Sequence, residues 1–156
     1  MKQHKISKWL KGIAISLATL GFIFVVGVTI FAFLKRELHP VSSIIGFPFF
    51  TWYTLAICYV VLFQFWKVCA EIGKENSFSM QNANAFHKMS LGGIFLGIGF
   101  IAKFFLILFF GSLGFVYGLF IICEIIASIV FVILCEALSK LILHAHEMKQ
   151  ENELTI

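Results

Sequence analysis

The chain alternates long apolar runs with short polar segments, and the length of each run limits the element that it can form. The first run, Gly12 to Leu34, holds 23 residues without a charge, and the second extends from about Ile44 to Trp66. The last run, Leu91 to Leu138, is far too long for one crossing of a bilayer, which needs about 20 apolar residues per helix. The sequence "GSLG" at 111–114 favours a turn that divides this run in two.

This pattern predicts an all-α polytopic membrane protein with four transmembrane helices and short loops. We expect a single domain over residues 1–156, with helices at about 12–34, 44–72, 80–110 and 115–147. Composition agrees, because 60% of the residues are hydrophobic and 13% are charged, whereas about 25% are charged in soluble domains. The first run is also longer than the roughly 7–15 apolar residues of a secretory signal, so we expect it to be retained as a helix.

Basic residues are distributed unevenly between the two sides that this topology defines. The N-terminal tail, the middle polar segment and the C-terminal tail share one side and carry nine lysines, whereas the other side carries Lys35 and Arg36. Because loops rich in Lys and Arg stay in the cytoplasm, both termini are expected there, with the protein in the cell membrane. The net charge of +4 then reflects orientation and attraction to anionic lipid. We therefore expect the lipid bilayer as a partner and no direct contact with nucleic acid.

Two opposite charges, Lys103 and Glu124, interrupt the apolar run on either side of the "GSLG" turn. In an antiparallel hairpin, residues at equal depth have numbers that add up to a constant, which is about 225 for a turn at 111–114. The numbers of Lys103 and Glu124 add up to 227, so the two residues are expected at almost the same depth. Because an unpaired charge at the centre of a membrane helix costs roughly 2.5–3.5 kcal/mol, we expect an intramembrane ion pair, or proton transfer that leaves both groups neutral. Two interpretations stay open: a polar lock that fixes the helix register, and a proton-linked or ligand-binding site.

Small and polar residues near the pair indicate close helix packing. Gly99 lies one turn from Lys103 and leaves room for a neighbouring side chain. One face of the fourth helix carries a stripe of less apolar residues: Tyr117, Glu124, Ser128 and Cys135. Two motifs match the small-residue contact pattern of membrane helices: Gly93-x-x-x-Gly97 and Gly114-x-x-x-Gly118. We expect these motifs to pack within the chain, and a homo-oligomer stays open.

The middle polar segment, "WKVCAEIGKENSFSMQNANAFHKMS" at 66–90, contains residues that end and begin helices. Gly73 can end the second helix. Ser79 can cap a helix that starts at Met80, with Asn82 at the position where a capping box has Glu or Gln. We therefore expect an ordered cytoplasmic helical elbow between helices two and three, which is either purely structural or a docking surface for a soluble partner.

The remaining chemistry of the chain favours no enzymatic function. Glu136 and Lys140 have the spacing of a helical ion pair, while His144 and His146 lie on different sides of a helix, so no metal site is expected. The four cysteines form no C-x-x-C pair and have no zinc-site spacing, so we expect reduced thiols. With no Asp and no nucleophile–base arrangement, we expect no enzyme, no catalytic residue and no cofactor.

Two segments, "CAEIGKENSFSMQNANAFHKMS" and "MKQENELTI", resemble the signature regions of domain-of-unknown-function family 2975, which comprises small four-pass bacterial membrane proteins. The family's elbow typically contains Phe-Ser-x-Glu-Asn-Ala, and Gln81 replaces the acid here. The matching residues are Phe78, Ser79, Gln81, Asn82 and Ala83. The family's closing Glu-Asn-Asp-Leu-Thr-Ile is matched by Glu151, Asn152, Glu153, Leu154, Thr155 and Ile156. The resemblance implies four helices in a bacterial cell membrane, and members are often encoded beside a small helix-turn-helix regulator.

These features together favour a regulatory or interaction module. The elbow and the closing residues, 151–156, would bind a cytoplasmic partner such as a small helix-turn-helix regulator, while the helices sense a peptide, a lipid or the state of the membrane. The alternative is a small transporter or toxin-immunity protein that uses the intramembrane site of Lys103 and Glu124.

Overall fold

Four α-helices make up the part of the chain that the computed structural model describes, which is residues 2–34, 47–74, 76–110 and 115–154. The helices are α1 (Lys2–Leu34), α2 (Phe47–Gly73), α3 (Met80–Phe110) and α4 (Phe115–Leu154). Each contains a stretch that is long and apolar enough to cross a membrane. Because a helix satisfies its backbone hydrogen bonds internally, these four are suited to hydrocarbon, and the chain is an all-α, multi-pass membrane protein.

Two helices extend beyond the apolar runs from which the sequence predicts them. Helix α1 begins at Lys2 instead of near residue 12, and α4 continues to Leu154 instead of ending near residue 147. The α1 extension is rich in Lys and the α4 extension in Glu, and both carry Gln, residues that favour helix without adding hydropathy. The predicted turn at 111–114, the loop with Lys35 and Arg36, and residues 44–46 of the predicted second helix lie outside the described residues.

The helices pack in the order in which they follow one another along the chain. Helix α1 packs on α2, α2 packs on α3, and α3 makes its most extensive contact with α4. Among the described residues, α1 and α4 have no contact of comparable extent. The result is an open four-helix arrangement in which α2 and α3 each have two neighbours.

Large apolar side chains form the outer surface of the spanning segments. The side chains of Phe24, Phe63, Phe109 and Ile133 are all at least 60% exposed. Hydrocarbon chains solvate such side chains as well as another helix does. These faces are therefore in contact with the lipid bilayer.

Gly93 and Gly97 bring α3 close to α4. A Cβ atom added to Gly97 would lie 2.9 Å from Oγ of Ser128, and one added to Gly93 would lie 2.9 Å from the ring of Phe131. The Gly93-x-x-x-Gly97 motif thus packs inside this chain. In the second motif Gly118 is buried, and the other glycine, at position 114, lies outside the described residues.

Gly99 brings α3 close to α2 on its other side. The ring of Tyr53 lies against this glycine and occupies the space that a Cβ atom would need. The Tyr53 hydroxyl donates a hydrogen bond to the backbone carbonyl of Phe95 at 2.6 Å. The room that Gly99 leaves is therefore filled by an aromatic side chain of α2.

We predict that Gly99→Ala lowers the free energy of unfolding by about 1–3 kcal/mol, because the new methyl group would overlap the Tyr53 ring. Gly27 of α1 is the matched control, since no atom lies within 4 Å of a Cβ atom added there. Gly27→Ala should leave stability unchanged or raise it by up to about 1 kcal/mol through helix propensity. Unfolding in mixed detergent micelles, followed by circular dichroism, measures both variants. Equal stability of the two would show that α2 and α3 do not approach closely.

Candidate functional site

Lys103 of α3 and Glu124 of α4 form an ion pair within the apolar part of the helices. Nζ of Lys103 lies 2.9 Å from Oε2 of Glu124. At a rise of 1.5 Å per residue, both residues lie roughly 10–14 Å from the facing ends of α3 and α4, which is near the middle of a hydrocarbon core about 30 Å thick. Each charge thus has the partner that hydrocarbon cannot supply.

The two partners of the ion pair differ in exposure. The side chain of Lys103 is 11% exposed and that of Glu124 is 40% exposed. Nζ of Lys103 also lies 5.5 Å from the ring centroid of Tyr117 and 5.9 Å from that of Phe100, distances at which aromatic faces attract cations. The Lys103 side chain is therefore enclosed, whereas the Glu124 side chain is partly exposed.

A cavity of about 630 Å³, here called the intramembrane groove, lies beside the ion pair. All four helices contribute to its wall, which is apolar over most of its area and includes both Lys103 and Glu124. Typical apolar members, one from each helix, are Val25, Leu55, Phe100 and Phe131. The partly exposed side chain of Glu124 therefore borders a space inside the spanning region.

The connector, residues 74–79, follows α2 and is described except at residue 75. The backbone N–H groups of Lys74 and Asn76 both donate to the carbonyl oxygen of Glu71, at 3.0 and 3.1 Å. The Glu71 carboxylate accepts a hydrogen bond from Nζ of Lys74 at 2.8 Å. These bonds satisfy groups that the end of a helix would otherwise leave unpaired.

Ser79 and Asn82 hold the start of α3. Oγ of Ser79 accepts a hydrogen bond from the backbone N–H of Asn82 at 3.2 Å, as a helix cap does. The side chain of Asn82 does not complete a capping box. Its Nδ2 donates to the carbonyl oxygens of Ser77 at 2.9 Å and Asn76 at 3.4 Å. The connector is thus fixed by bonds from inside the fold.

The residues that the sequence proposes for partner binding fall into two groups at the connector. Ser79 and Asn82 are 4% and 1% exposed, so their side chains belong to the interior and do not present a surface. They are interior because the buried backbone groups of a turn require internal partners. Phe78 is 56% exposed, and Gln81 is also exposed.

Polar side chains connect the first turns of α3 with the second half of α4. Oε2 of Glu136 lies 3.0 Å from Nδ1 of His87 and accepts a hydrogen bond from Oγ of Ser90 at 3.1 Å. Oγ of Ser139 donates to the carbonyl oxygen of Ala83 at 2.8 Å. The sequence relates Glu136 to Lys140 on its own helix and misses these bonds across helices, because helical spacing carries no information about the neighbouring helix.

The C-terminal turns of α4 reach the connector. Nδ1 of His146 lies within hydrogen-bond distance of the carbonyl oxygen of Phe78, at 3.2 Å, and Nε2 of Gln150 lies 3.3 Å from Nε2 of His146. Glu151 is exposed. The backbone of Asn152, Glu153 and Leu154 continues the helix, while Thr155 and Ile156 lie outside the described residues.

The described residues assemble no metal site. Within residues 2–34, 47–74, 76–110 and 115–154, no three side chains of His, Cys, Asp or Glu lie close enough to hold a metal ion. The four cysteines are free thiols: Cys58, Cys69, Cys123 and Cys135. The polar groups described above are thus the ion pair beside the groove and the hydrogen-bonded side chains between the first turns of α3 and the second half of α4.

The connector and the C-terminal turns of α4, which carry the family resemblance of the sequence, are in contact in the structure. The family described as "Protein of unknown function (DUF2975)" matches residues 47–156. The chain belongs to the DUF2975 family. The region matched to DUF2975 comprises α2, the connector, α3 and α4, and therefore includes the ion pair. No match is found among curated proteins or among solved structures.

For this DUF2975 protein we predict that Glu124→Gln lowers the free energy of unfolding by about 2–3 kcal/mol, because it leaves the enclosed Lys103 without an anion. The double variant Lys103→Met with Glu124→Gln removes both charges and should recover most of this loss. Unfolding of the wild type, both single variants and the double variant in micelles gives the coupling energy. A double variant no more stable than Glu124→Gln would contradict a polar lock.

A second prediction compares the stability effects of two asparagines of α3, the buried Asn82, which bonds to the connector, and the exposed Asn84. Asn82→Ala should lower the free energy of unfolding by about 1–3 kcal/mol, because the carbonyl oxygens of Ser77 and Asn76 lose their donor. Asn84, also near the start of α3 but exposed, is the matched control, and Asn84→Ala should change stability by less than about 0.5 kcal/mol. The same micelle unfolding assay compares them. Similar losses for the two variants would show that Asn82 does not hold the connector.

Proposed function

We propose that this protein is a regulatory interaction module of the bacterial cell membrane, which binds a cytoplasmic partner protein. The binding surface consists of exposed residues of the connector and of the first turn of α3, together with the C-terminal turns of α4, and is here called the partner surface. The observation that carries the proposal is the contact of His146 with the carbonyl of Phe78, which joins the two family-specific segments. The side chain of Phe78 stays 56% exposed beside this contact.

The distribution of charge supports a cytoplasmic location for the partner surface. Nine lysines belong to the tails and the middle segment, against two basic residues in the first loop, which favours cytoplasmic termini. Helix α4 has 40 residues and is therefore about 60 Å long, twice the thickness of the hydrocarbon core. Its last turns consequently project beyond the bilayer, where a soluble protein can reach them.

The chemistry of the partner surface suits protein recognition. Phe78 and Met80 are 56% and 50% exposed, and Gln81 adds an exposed amide. Exposed aromatic side chains often contribute most of the energy of an interface. Because the bonds of Asn82 already fix the connector, little conformational entropy is lost on binding. A small helix-turn-helix regulator is the favoured partner, since the family resemblance implies such a neighbouring gene.

This function involves no enzymatic step and no cofactor. Phe78 of the connector and Met80 and Gln81 of the first turn of α3 are exposed, and none of these three is a nucleophile or a general base at neutral pH. Binding and release of a regulator would suffice to connect the membrane to gene expression.

A second candidate function is supported by the exposure of Glu124. A glutamate whose side chain is 40% exposed and lines a groove of the spanning region can hold a proton or a cation in a small transporter or toxin-immunity protein. In that case Glu124→Gln would abolish transport or protection in cells and leave expression intact, whereas for a polar lock it would lower the amount of folded protein. Binding at the partner surface would be unchanged by the same substitution, so the two functions are distinguishable.

We predict that a photo-crosslinking amino acid at position 78 captures a soluble helix-turn-helix protein in native membranes, because this side chain is exposed beside α4. The control has the same amino acid in place of Trp9, an aromatic residue of α1 that is 77% exposed and lies outside the matched region. This control should not capture the helix-turn-helix protein. Mass spectrometry of the crosslinked band identifies the partner.

The regulatory part of the proposal is measured in the same cells. With the photo-crosslinking amino acid placed at Met80 instead, which is 50% exposed, Phe78→Ala and deletion of residues 147–156 should each abolish the crosslink or reduce it about tenfold. Both changes should also alter transcription of genes under the captured regulator. Trp9→Ala should alter neither. Capture that survives both changes, or transcription that responds to neither, would refute the partner surface.

A further inference from the structure

The intramembrane groove has the size of a ligand-binding site. Its volume of about 630 Å³ lies within the range of roughly 300–1,000 Å³ that is typical of small-molecule pockets. It remains open because α1 packs on α2 and does not cover the face of α4 that carries Glu124. On the α1 side its wall includes the small residues Ala18 and Gly21, which add to its width.

An ordinary acyl chain matches the apolar wall of the groove but not its carboxylate. Lys103 donates to Oε2 of Glu124, and among the described residues no side chain donates to Oε1. A partly exposed carboxylate oxygen that faces hydrocarbon is unfavourable unless it accepts a hydrogen bond. The groove therefore favours an occupant that places a hydrogen-bond donor at the depth of Glu124.

The charge balance of the site selects a neutral donor. Lys103 already compensates Glu124, so a cationic ligand would compete with the lysine and leave an enclosed ammonium group without an anion. An anionic ligand would meet the carboxylate directly. A hydroxyl group adds a hydrogen bond without adding net charge, and it reaches the middle of a bilayer more readily than a phosphate or an ammonium group does.

We infer that the intramembrane groove binds a neutral, single-chain amphiphile whose hydroxyl group donates a hydrogen bond to Glu124. The alkyl chain lies against the apolar residues that α1 and α2 contribute, such as Val25 and Leu55. A volume of about 630 Å³ suits one chain with a small headgroup better than a two-chain lipid. This binding goes beyond the proposed partner surface, and it holds whether or not the groove also serves transport.

The test uses the purified full-length chain in phosphatidylcholine nanodiscs, without any partner protein. The probe is a monoacylglycerol that carries a diazirine and an alkyne in its chain, and mass spectrometry locates the label after irradiation. Unlabelled monoacylglycerol should compete about tenfold more strongly than the methyl ester of the same fatty acid, which lacks a donor. Because no partner is present, failure here leaves the proposed regulatory function standing.

A matched pair of variants locates the site. Gly21 lines the groove, and only Cδ1 of Leu55 lies within 4 Å of a Cβ atom added there, at 3.6 Å. Gly21→Leu therefore adds a large side chain to the α1 wall of the groove, whereas the ion pair belongs to α3 and α4, and it should reduce saturable labelling about tenfold. Gly27→Leu makes the same change on the same helix, where an added Cβ atom has no neighbour within 4 Å, and should label like the wild type.

A third variant tests the role of the carboxylate. Lys103→Met with Glu124→Leu, which leaves neither a charge nor an acceptor at this depth, should remove most of the preference for monoacylglycerol over the methyl ester while it retains binding of the alkyl chain. Equal competition by the methyl ester in the wild type would show that the groove accepts any acyl chain and would overturn the inference. Stronger competition by a long-chain amine would overturn the assignment to a neutral ligand.

Two further outcomes would also overturn the inference. Equal labelling of Gly21→Leu and Gly27→Leu would place the label outside the groove. Labelling of the groove in nanodiscs that hold one copy of the chain, but not in nanodiscs that hold two, would show that a second copy covers this face. If Gly21→Leu does not fold, as judged by size-exclusion chromatography, the competition series on the wild type decides the question alone.

Discussion

Hydrocarbon chains solvate the outward faces of these helices as well as another helix would, so apolar burial alone does not hold the helices together. Side chains such as Phe24 and Ile133 are accordingly exposed along the spanning segments. Association depends instead on hydrogen bonds between helices and on places where glycine lets two backbones approach. Between α3 and α4 there are both hydrogen bonds and close approaches at glycine. Among these hydrogen bonds, that of Lys103 to Glu124 lies within the apolar part of the helices.

The contacts between α3 and α4 define a single register. The pairs are Lys103 with Glu124, Gly97 with Ser128, His87 with Glu136, and Ala83 with Ser139, and in each pair the two residue numbers add up to about 225. The contact of Phe78 with His146 continues the same relation into the connector. A slide of one helical turn would break all of these contacts together, and it would expose both intramembrane charges to lipid. The hydrogen bonds of Glu136 and Ser139 and the ion pair therefore stabilise the same alignment of α3 and α4 from two distant positions.

The sequence predicts those parts of the molecule that depend on chain length and depth. The apolar runs predict four helices, and the division of the last run places Lys103 level with Glu124, which are in contact in the structure. The burial of Asn82 was not predictable, because a capping pattern does not say whether the side chain faces the chain or the solvent. Similarly, the bond of Glu136 to His87 depends on how α3 and α4 rotate about their axes, and one sequence does not record that rotation. The intramembrane groove exists because α1 and α4 do not pack extensively on each other. The order in which the helices pack determines this, and the sequence pattern does not record it.

The width of the groove follows from how α1 is attached. Hydrogen bonds between described residues join it to α2 along most of its length: Ser7 to the carbonyl of Cys69, Tyr59 to the carbonyl of Ala18, and Trp52 to Thr29. Because these bonds lie near both ends and near the middle of α1, the helix cannot rotate toward α4 without losing them. On the other side of α2, the ring of Tyr53 against Gly99 fixes its distance from α3. The open space beside Glu124 is thus set by specific bonds and does not result from loose packing, so a molecule that enters it requires no helix to move.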